Sequence, residues 1–130
     1  MTYVADACAI IALRRGEDGG DKMRDLLLDS SSEARMHAVN LGEVYYLALR
    51  RGADEAARVM EQVLRLGIQV RSDLDDDFIR LVGKWKAGNR LAYADAFVLA
   101  LAQRDNATVV TTDHGELDAI VAQGSISFYG

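Results

Sequence analysis

The chain has 130 residues, half of them hydrophobic and 27% charged, with a net charge of −5. That is the length and composition of one ordinary globular domain, expected over residues 1–130, and its acidic balance excludes a broad basic surface for gripping nucleic acid. No apolar run approaches the roughly eighteen residues of a membrane helix, no leader opens the chain, and the single cysteine, Cys8, cannot form an internal disulfide, so a cytosolic (cytoplasmic) protein is expected.

Residues 2–5 (Thr-Tyr-Val-Ala) form a short β-prone run that stops at Asp6 and read as a buried strand. Residues 7–14 are small and apolar and predict a helix, broken by Gly16, Gly19 and Gly20. A second helix is predicted over 20–30, with Met23, Leu26 and Leu27 at core spacing, and a second strand over 34–39. Helices over 41–51 and 53–66 end at Gly52 and Gly67. Residues 68–71 give a third strand, followed by helices over 74–87 and 93–105, a fourth strand over 108–111, a short helix over 115–122 and a fifth strand over 126–128. Strands alternating with helices imply an α/β fold in three layers, a mostly parallel sheet of four to five strands between helices.

In sheets of this kind ligands bind outside the carboxyl ends of the strands. Asp6 follows the first strand, Glu43 opens the helix after the second, Asp95 opens the helix before the fourth, and Asp113 follows the fourth. Each acid also has a plain structural explanation. Asp6 can cap the next helix, Asn40–Glu43 and Asp113–Glu116 have capping-box spacing, and Asp95 suits the dipole of a first helical turn. Taken together they point elsewhere, because Asp6 and Asp95 interrupt apolar context. Partly buried carboxylates at one edge repel and lose hydration, which calls for a cation. Oxygen ligands with room for water suit Mg²⁺ or Mn²⁺, and such ions can drive phosphodiester hydrolysis.

The segments Val4-Ala-Asp-Ala-Cys-Ala-Ile-Ile-Ala-Leu13, Asn40-Leu-Gly-Glu-Val-Tyr-Tyr46, Ala92-Tyr-Ala-Asp-Ala-Phe-Val-Leu-Ala-Leu-Ala102 and Val110-Thr-Thr-Asp-His114 resemble PIN-domain proteins. The similarity is strongest to the toxins of VapBC toxin–antitoxin pairs and runs in order over essentially the whole chain. The resemblance implies a Mg²⁺- or Mn²⁺-dependent endoribonuclease whose acidic quartet falls on Asp6, Glu43, Asp95 and Asp113. Asp6 and Asp95 are then the expected direct metal ligands, while Glu43 and Asp113 bind metal directly, bind it through water, or position the attacking water. Thr111 and Thr112 match the hydroxyl-bearing position before the last acid. Cys8 stands where the family usually has Ser or Thr, and a thiol is a weaker donor beside the site. The resemblance also implies an RNA substrate, a small antitoxin that sets a basic or aromatic side chain against the acids, and a homodimer.

Lys86 and Arg90, just ahead of the Asp95 helix, are candidate contacts to RNA phosphates. His114 reads as a solvated turn residue, and His37 as a hydrogen-bonded core residue. The acidic run Asp73, Asp75, Asp76 and Asp77 reads as a helix N-terminus and not a second metal site. Two other readings compete: a receiver-like signalling domain binding Mg²⁺ around a phosphorylated aspartate, and a catalytically silent PIN binding module. The first wants an acidic pair after strand one and a lysine after the last strand, and the chain has neither.

Overall fold

A computed structural model describes the chain except for Asp113, His114, Glu116, Ser125, Ser127 and Gly130, and describes Ala122 and Gln123 by their backbone alone. In chain order the elements are β1 (Thr2–Ala5), α1 (Ala7–Arg15), α2 (Gly20–Leu28), β2 (Glu33–His37), α3 (Ala38–Arg51), α4 (Ala53–Arg65), β3 (Gln69–Arg71), α5 (Asp76–Gly88), α6 (Tyr93–Asp105), β4 (Thr108–Val110) and α7 (Asp118–Gln123). The strands form one sheet in the order β3-β2-β1-β4, and every pairing is parallel. This is the three-layer α/β fold expected. The order also separates the chain from a receiver-like sheet, in which the third strand would lie beside the first.

A parallel sheet must be covered on both faces, and alternate side chains of each strand divide between two cores. Tyr3, Ala5, Met36 and Val110 pack on one side with Ile10, Met23, Val44, Val59 and Val63 from α1 to α4. Val4 and Val109 pack on the other with Phe78 and Val82 of α5, the α6 run Ala96–Ala102, and Ile120 of α7. Seven consecutive residues of α6 are buried, as befits a helix wedged between the sheet and its neighbours.

Side-chain caps account for most differences in element boundaries. The second strand stops at His37, two residues earlier than predicted, because His37 Nδ1 accepts the Val39 N–H at 3.1 Å and starts α3 there. That bond leaves the ring proton on Nε2, which donates to the Asp73 carbonyl at 2.9 Å. His37 is therefore the hydrogen-bonded core residue expected, with a capping role besides. The second helix ends at Leu28, because Asp29 accepts from the Ser31 N–H at 2.9 Å and from the Ser31 and Ser32 hydroxyls, a local turn that competes with helix. Asp75, not residue 74, opens α5, accepting the Phe78 N–H at 2.9 Å, with Asp76 and Asp77 in its first turn. The predicted strand over 126–128 is represented by one parallel bridge from Phe128 to Val109, and Ser127 lies outside the described residues. Gly20 lies so close to α1 that an added Cβ would sit 2.5 Å from the Ala12 carbonyl oxygen.

The β3 side of the sheet is held by ions. The Asp105 carboxylate, 7% exposed, accepts from Arg35 Nη1 at 2.8 Å and Arg71 Nη1 at 2.9 Å. Arg71 also grips Asp73, and Arg104 joins Asp73 to Asp75 at 2.9 and 2.6 Å. Asp73 therefore belongs to this network as well as to the approach to α5. Burial pushes the Asp73 carboxyl up, but hydrogen bonds from Arg71 and Arg104 hold it below the usual range overall.

Candidate functional site

Three of the four predicted acids fall within the described residues: Asp6 and Asp95 at helix starts and Glu43 in the second turn of its helix. Asp6 follows β1, one of the two inner strands, and is 2% exposed. Its N–H donates to the Val110 carbonyl at 3.2 Å, so the β1–β4 ladder runs on to the residue itself. Asp6 Oδ1 accepts the Ala9 N–H at 2.9 Å and caps α1. Its Oδ2 accepts the hydroxyl of Thr111, the residue that leaves β4 beside it. Thr111 thus holds the first acid. Thr112 lies against the α1–α2 turn, where its Cγ2 would meet a Cβ on Gly19 at 2.6 Å. Cys8 is exposed on the first turn of α1.

Glu43 and Asp95 belong to a second group. Glu43 lies in the second turn of α3, and α3 packs against both α1 and α6. Burial pushes the Glu43 carboxyl above its ordinary value, and a hydrogen bond from Asn40 opposes the shift in part. Asn40 does not cap α3 as its spacing suggested, since His37 has that place. Its side chain turns inward instead, with Nδ2 donating to Glu43 Oε1 at 3.3 Å and to the Ala94 carbonyl at 3.0 Å. Asp95, half-buried in the first turn of α6, is the next residue along. One amide therefore ties the second acid to the helix turn that carries the third.

The loop before α6 has its own support. Lys86 Nζ donates to the Leu91 carbonyl at 2.7 Å, and Asn89 Nδ2 donates to the Trp85 carbonyl at 3.0 Å. Lys86 spends one of its three donors on the loop and is otherwise exposed, as is Arg90. Asp113 and His114 lie outside the described residues.

Oxygen donors, a carboxyl lifted by burial and a nearly inaccessible carboxylate are the chemistry a hard divalent cation relieves. Among the described residues, however, no three His, Cys, Asp or Glu side chains form a group that could hold a metal ion. The structure brings Glu43 to the Asp95 turn and Asp6 to Thr111. Among the described residues no helix is long and apolar enough to cross a membrane. Sequence reasoning missed the inward course of Asn40. An amide three residues ahead of an acid on one helix face was the available signal, and it was read as a cap.

Comparison with known proteins bears on what this edge does. The family profile that matches is the PIN domain, over residues 3–121. No curated protein matches the chain by sequence. Among solved structures, it is similar to Mycobacterium tuberculosis VapC20, described as a sarcin-ricin loop cleaving toxin. Identity is 18%, 90% of this chain and 94% of that one are covered, and the TM-score is 0.72. It is also similar to VapBC-1 from nontypeable Haemophilus influenzae (19% identity, 99% and 97% covered, TM-score 0.70). DNA-bound VapBC from Salmonella typhimurium is alike at 17% identity (99% and 97% covered, TM-score 0.71).

Proposed function

This chain belongs to the PIN-domain family, and on that premise we propose that it is a metal-dependent endoribonuclease, the toxin of a type II toxin–antitoxin pair. The observation that carries the reading is the amide of Asn40, which joins Glu43 to the α6 turn bearing Asp95. It does so beyond the carboxyl edge of the sheet, where Asp6 is held by Thr111. Helix starts are common places for acids, but an acid lifted by burial and an adjoining helix turn drawn together by a buried amide are not explained by capping.

Asp6 and Asp95 would hold Mg²⁺ or Mn²⁺, with Glu43 and Asp113 either binding the ion, reaching it through water or orienting the attacking water. When bound, the ion supplies an activated water and a charge for the leaving oxygen of a phosphodiester. The chain's own residues do the rest. Thr111 keeps the Asp6 carboxylate in one rotamer, α3 presents Glu43 from a position that excludes much of the solvent, and the Lys86–Leu91 contact fixes the approach to α6. Lys86 and Arg90 would meet RNA phosphates there. Three similar solved structures are described as VapBC, two of them bound to DNA, which supports a small antitoxin as partner. A basic side chain from that partner would neutralise the acids and displace both metal and substrate. A homodimer in the cytoplasm completes the proposal.

The test is RNA cleavage by the purified chain with Mg²⁺ or Mn²⁺, with chelator, and after Asp95→Asn. Cleavage is expected only in the first condition with the native residue. Cleavage that survives chelator and substitution alike would refute metal chemistry, and an inactive chain with intact metal binding would favour the silent binding module.

A further inference from the structure

Asn40 has no exposed surface at all, which is uncommon for an asparagine. Its two amide atoms are treated unequally. Nδ2 faces two acceptors, Glu43 Oε1 and the Ala94 carbonyl, whereas Oδ1 is buried with no hydrogen-bond partner among the described residues. Exchanging the two atoms would set a carbonyl oxygen against a carboxylate and another carbonyl, so the orientation is fixed by its surroundings. An unsatisfied buried acceptor is costly, and an apolar side chain of similar volume would avoid that cost. The amide is a poor choice for stability alone. Its donor group is what the position uses.

We propose that Asn40 is a positioning residue, whose Nδ2 sets the Glu43 carboxylate against the first turn of α6 and so fixes the spacing of Glu43 and Asp95. The proposal rests on the nuclease reading for its consequence in catalysis, though not for the contact itself. Asn40 touches neither substrate nor metal; it acts through Glu43. Without it, α3 and α6 still pack through Val39 and the apolar α6 face, but the carboxylate is free to choose another rotamer.

Two measurements test this. The first needs neither metal nor RNA: thermal unfolding in chelator of the native chain, Asn40→Leu, Glu43→Ala and the double variant. Coupled shifts, with the double variant losing less than the sum of the singles, are expected. Additive shifts would show that Asn40 serves only the Ala94 carbonyl, and would overturn the proposal. The second is steady-state RNA cleavage below the melting temperature. Asn40→Leu is expected to lower kcat about tenfold or more with KM for RNA within about twofold, the scale of loss seen when partners of metal ligands are removed. Asn40→Ser, which keeps a donor, is expected to recover part of that loss. A kcat for Asn40→Leu within about twofold of native would overturn the proposal. If Asn40→Leu does not fold, Asn40→Ala enters both measurements in its place. A native chain that fails to cleave RNA counts against the nuclease reading, and the unfolding cycle then still decides the role of Asn40.

Discussion

Asp6 has two duties in this structure, a cap and a proposed metal ligand, and substitution can separate them. Oδ1 caps α1 through the Ala9 N–H at 2.9 Å, and Oδ2 takes the Thr111 hydroxyl. Asp6→Ala removes both. A lost cap costs about 0.5–2 kcal/mol, and a lost bond to a charged acceptor about 1.5–3 kcal/mol. Together they come to about 3 kcal/mol, or roughly 10 °C in Tm for a domain of this size. Asp6→Asn is different. The amide oxygen still accepts from Ala9, asparagine caps as well as aspartate does, and the Thr111 hydroxyl can turn to accept. The change also removes a charge from a side chain only 2% exposed. Its Tm is expected to stay within about 4 °C of native, the equivalent of about 1 kcal/mol. Both variants are expected to lose more than the roughly 100-fold in RNA cleavage that even outer partners of metal ligands cost. Both are also expected to lose the rise in Tm that added Mn²⁺ gives the native chain. Thermal melts with and without Mn²⁺, beside a cleavage assay, check all of this. An Asp6→Asn chain that cleaves RNA at the native rate would refute the ligand role, leaving Asp6 as a cap and nothing more.

Asp105→Ala leaves Arg35 and Arg71 without their shared carboxylate; since both arginines keep other acids and some solvent, the expected loss is about 3 kcal/mol in urea unfolding, below the limit for a fully buried pair, and a loss under about 0.5 kcal/mol would contradict the network. Gly20→Ala drives a methyl to 2.5 Å from the Ala12 carbonyl oxygen and is expected to destabilise by about 1–3 kcal/mol, whereas Gly83→Ala on α5, with nothing within 4 Å, is expected to be neutral or better. Glu43 binds its proton more tightly folded than unfolded, so ionising it destabilises the fold, and that penalty is absent below the ordinary carboxylate range and grows as pH rises through its elevated value. In chelator, Glu43→Gln is therefore expected to raise Tm at pH 7 and to make no difference at pH 4; an equal gain at both would contradict the burial effect. Replacing Lys86 and Arg90 together by alanine is expected to weaken RNA binding and reduce its slope against salt by about 2, one for each phosphate contact, and an unchanged titration would remove them from the interface.

Much of the fold was legible because it rests on local patterns. The apolar runs at 2–5 and 108–111 and the glycine stops at 52 and 67 lie within one or two residues of the observed boundaries. What could not be read were contacts that only folding creates. Arg35 and Asp105 are 70 residues apart, and nothing in either neighbourhood distinguishes them from solvated charges. The acidic run at 73–77 shows both cases: Asp75 obeys the local rule and caps α5, while Asp73 is drawn into the arginine network. Asp6 and Asp95 were legible at helix starts, with Glu43 one turn further along α3. Their supports were less so. Thr111 is beside Asp6 because β4 lies beside β1, and Asn40 reaches Ala94 across 54 residues of chain.

The distribution of charge joins these findings. Of 15 lysines and arginines, Arg35, Arg71 and Arg104 are committed to Asp73, Asp75 and Asp105 on the β3 side of the sheet. They hold the fold and cannot also meet a polyanion at the acidic edge. At physiological salt the net charge of −5 is screened beyond about 8 Å, so it is no barrier to approach from a distance. The difficulty is local, where Asp6, Glu43 and Asp95 would face phosphates with little water between them. Local repulsion requires local neutralisation. A cation among the carboxylates provides it in the nuclease reading, and a basic side chain of a partner protein would provide it equally well. The same negative charge that would hold a metal in the nuclease reading would also admit a basic side chain of a partner protein. One feature of the sequence, acids recurring beyond the carboxyl ends of the strands, accounts for both the proposed activity and its proposed control.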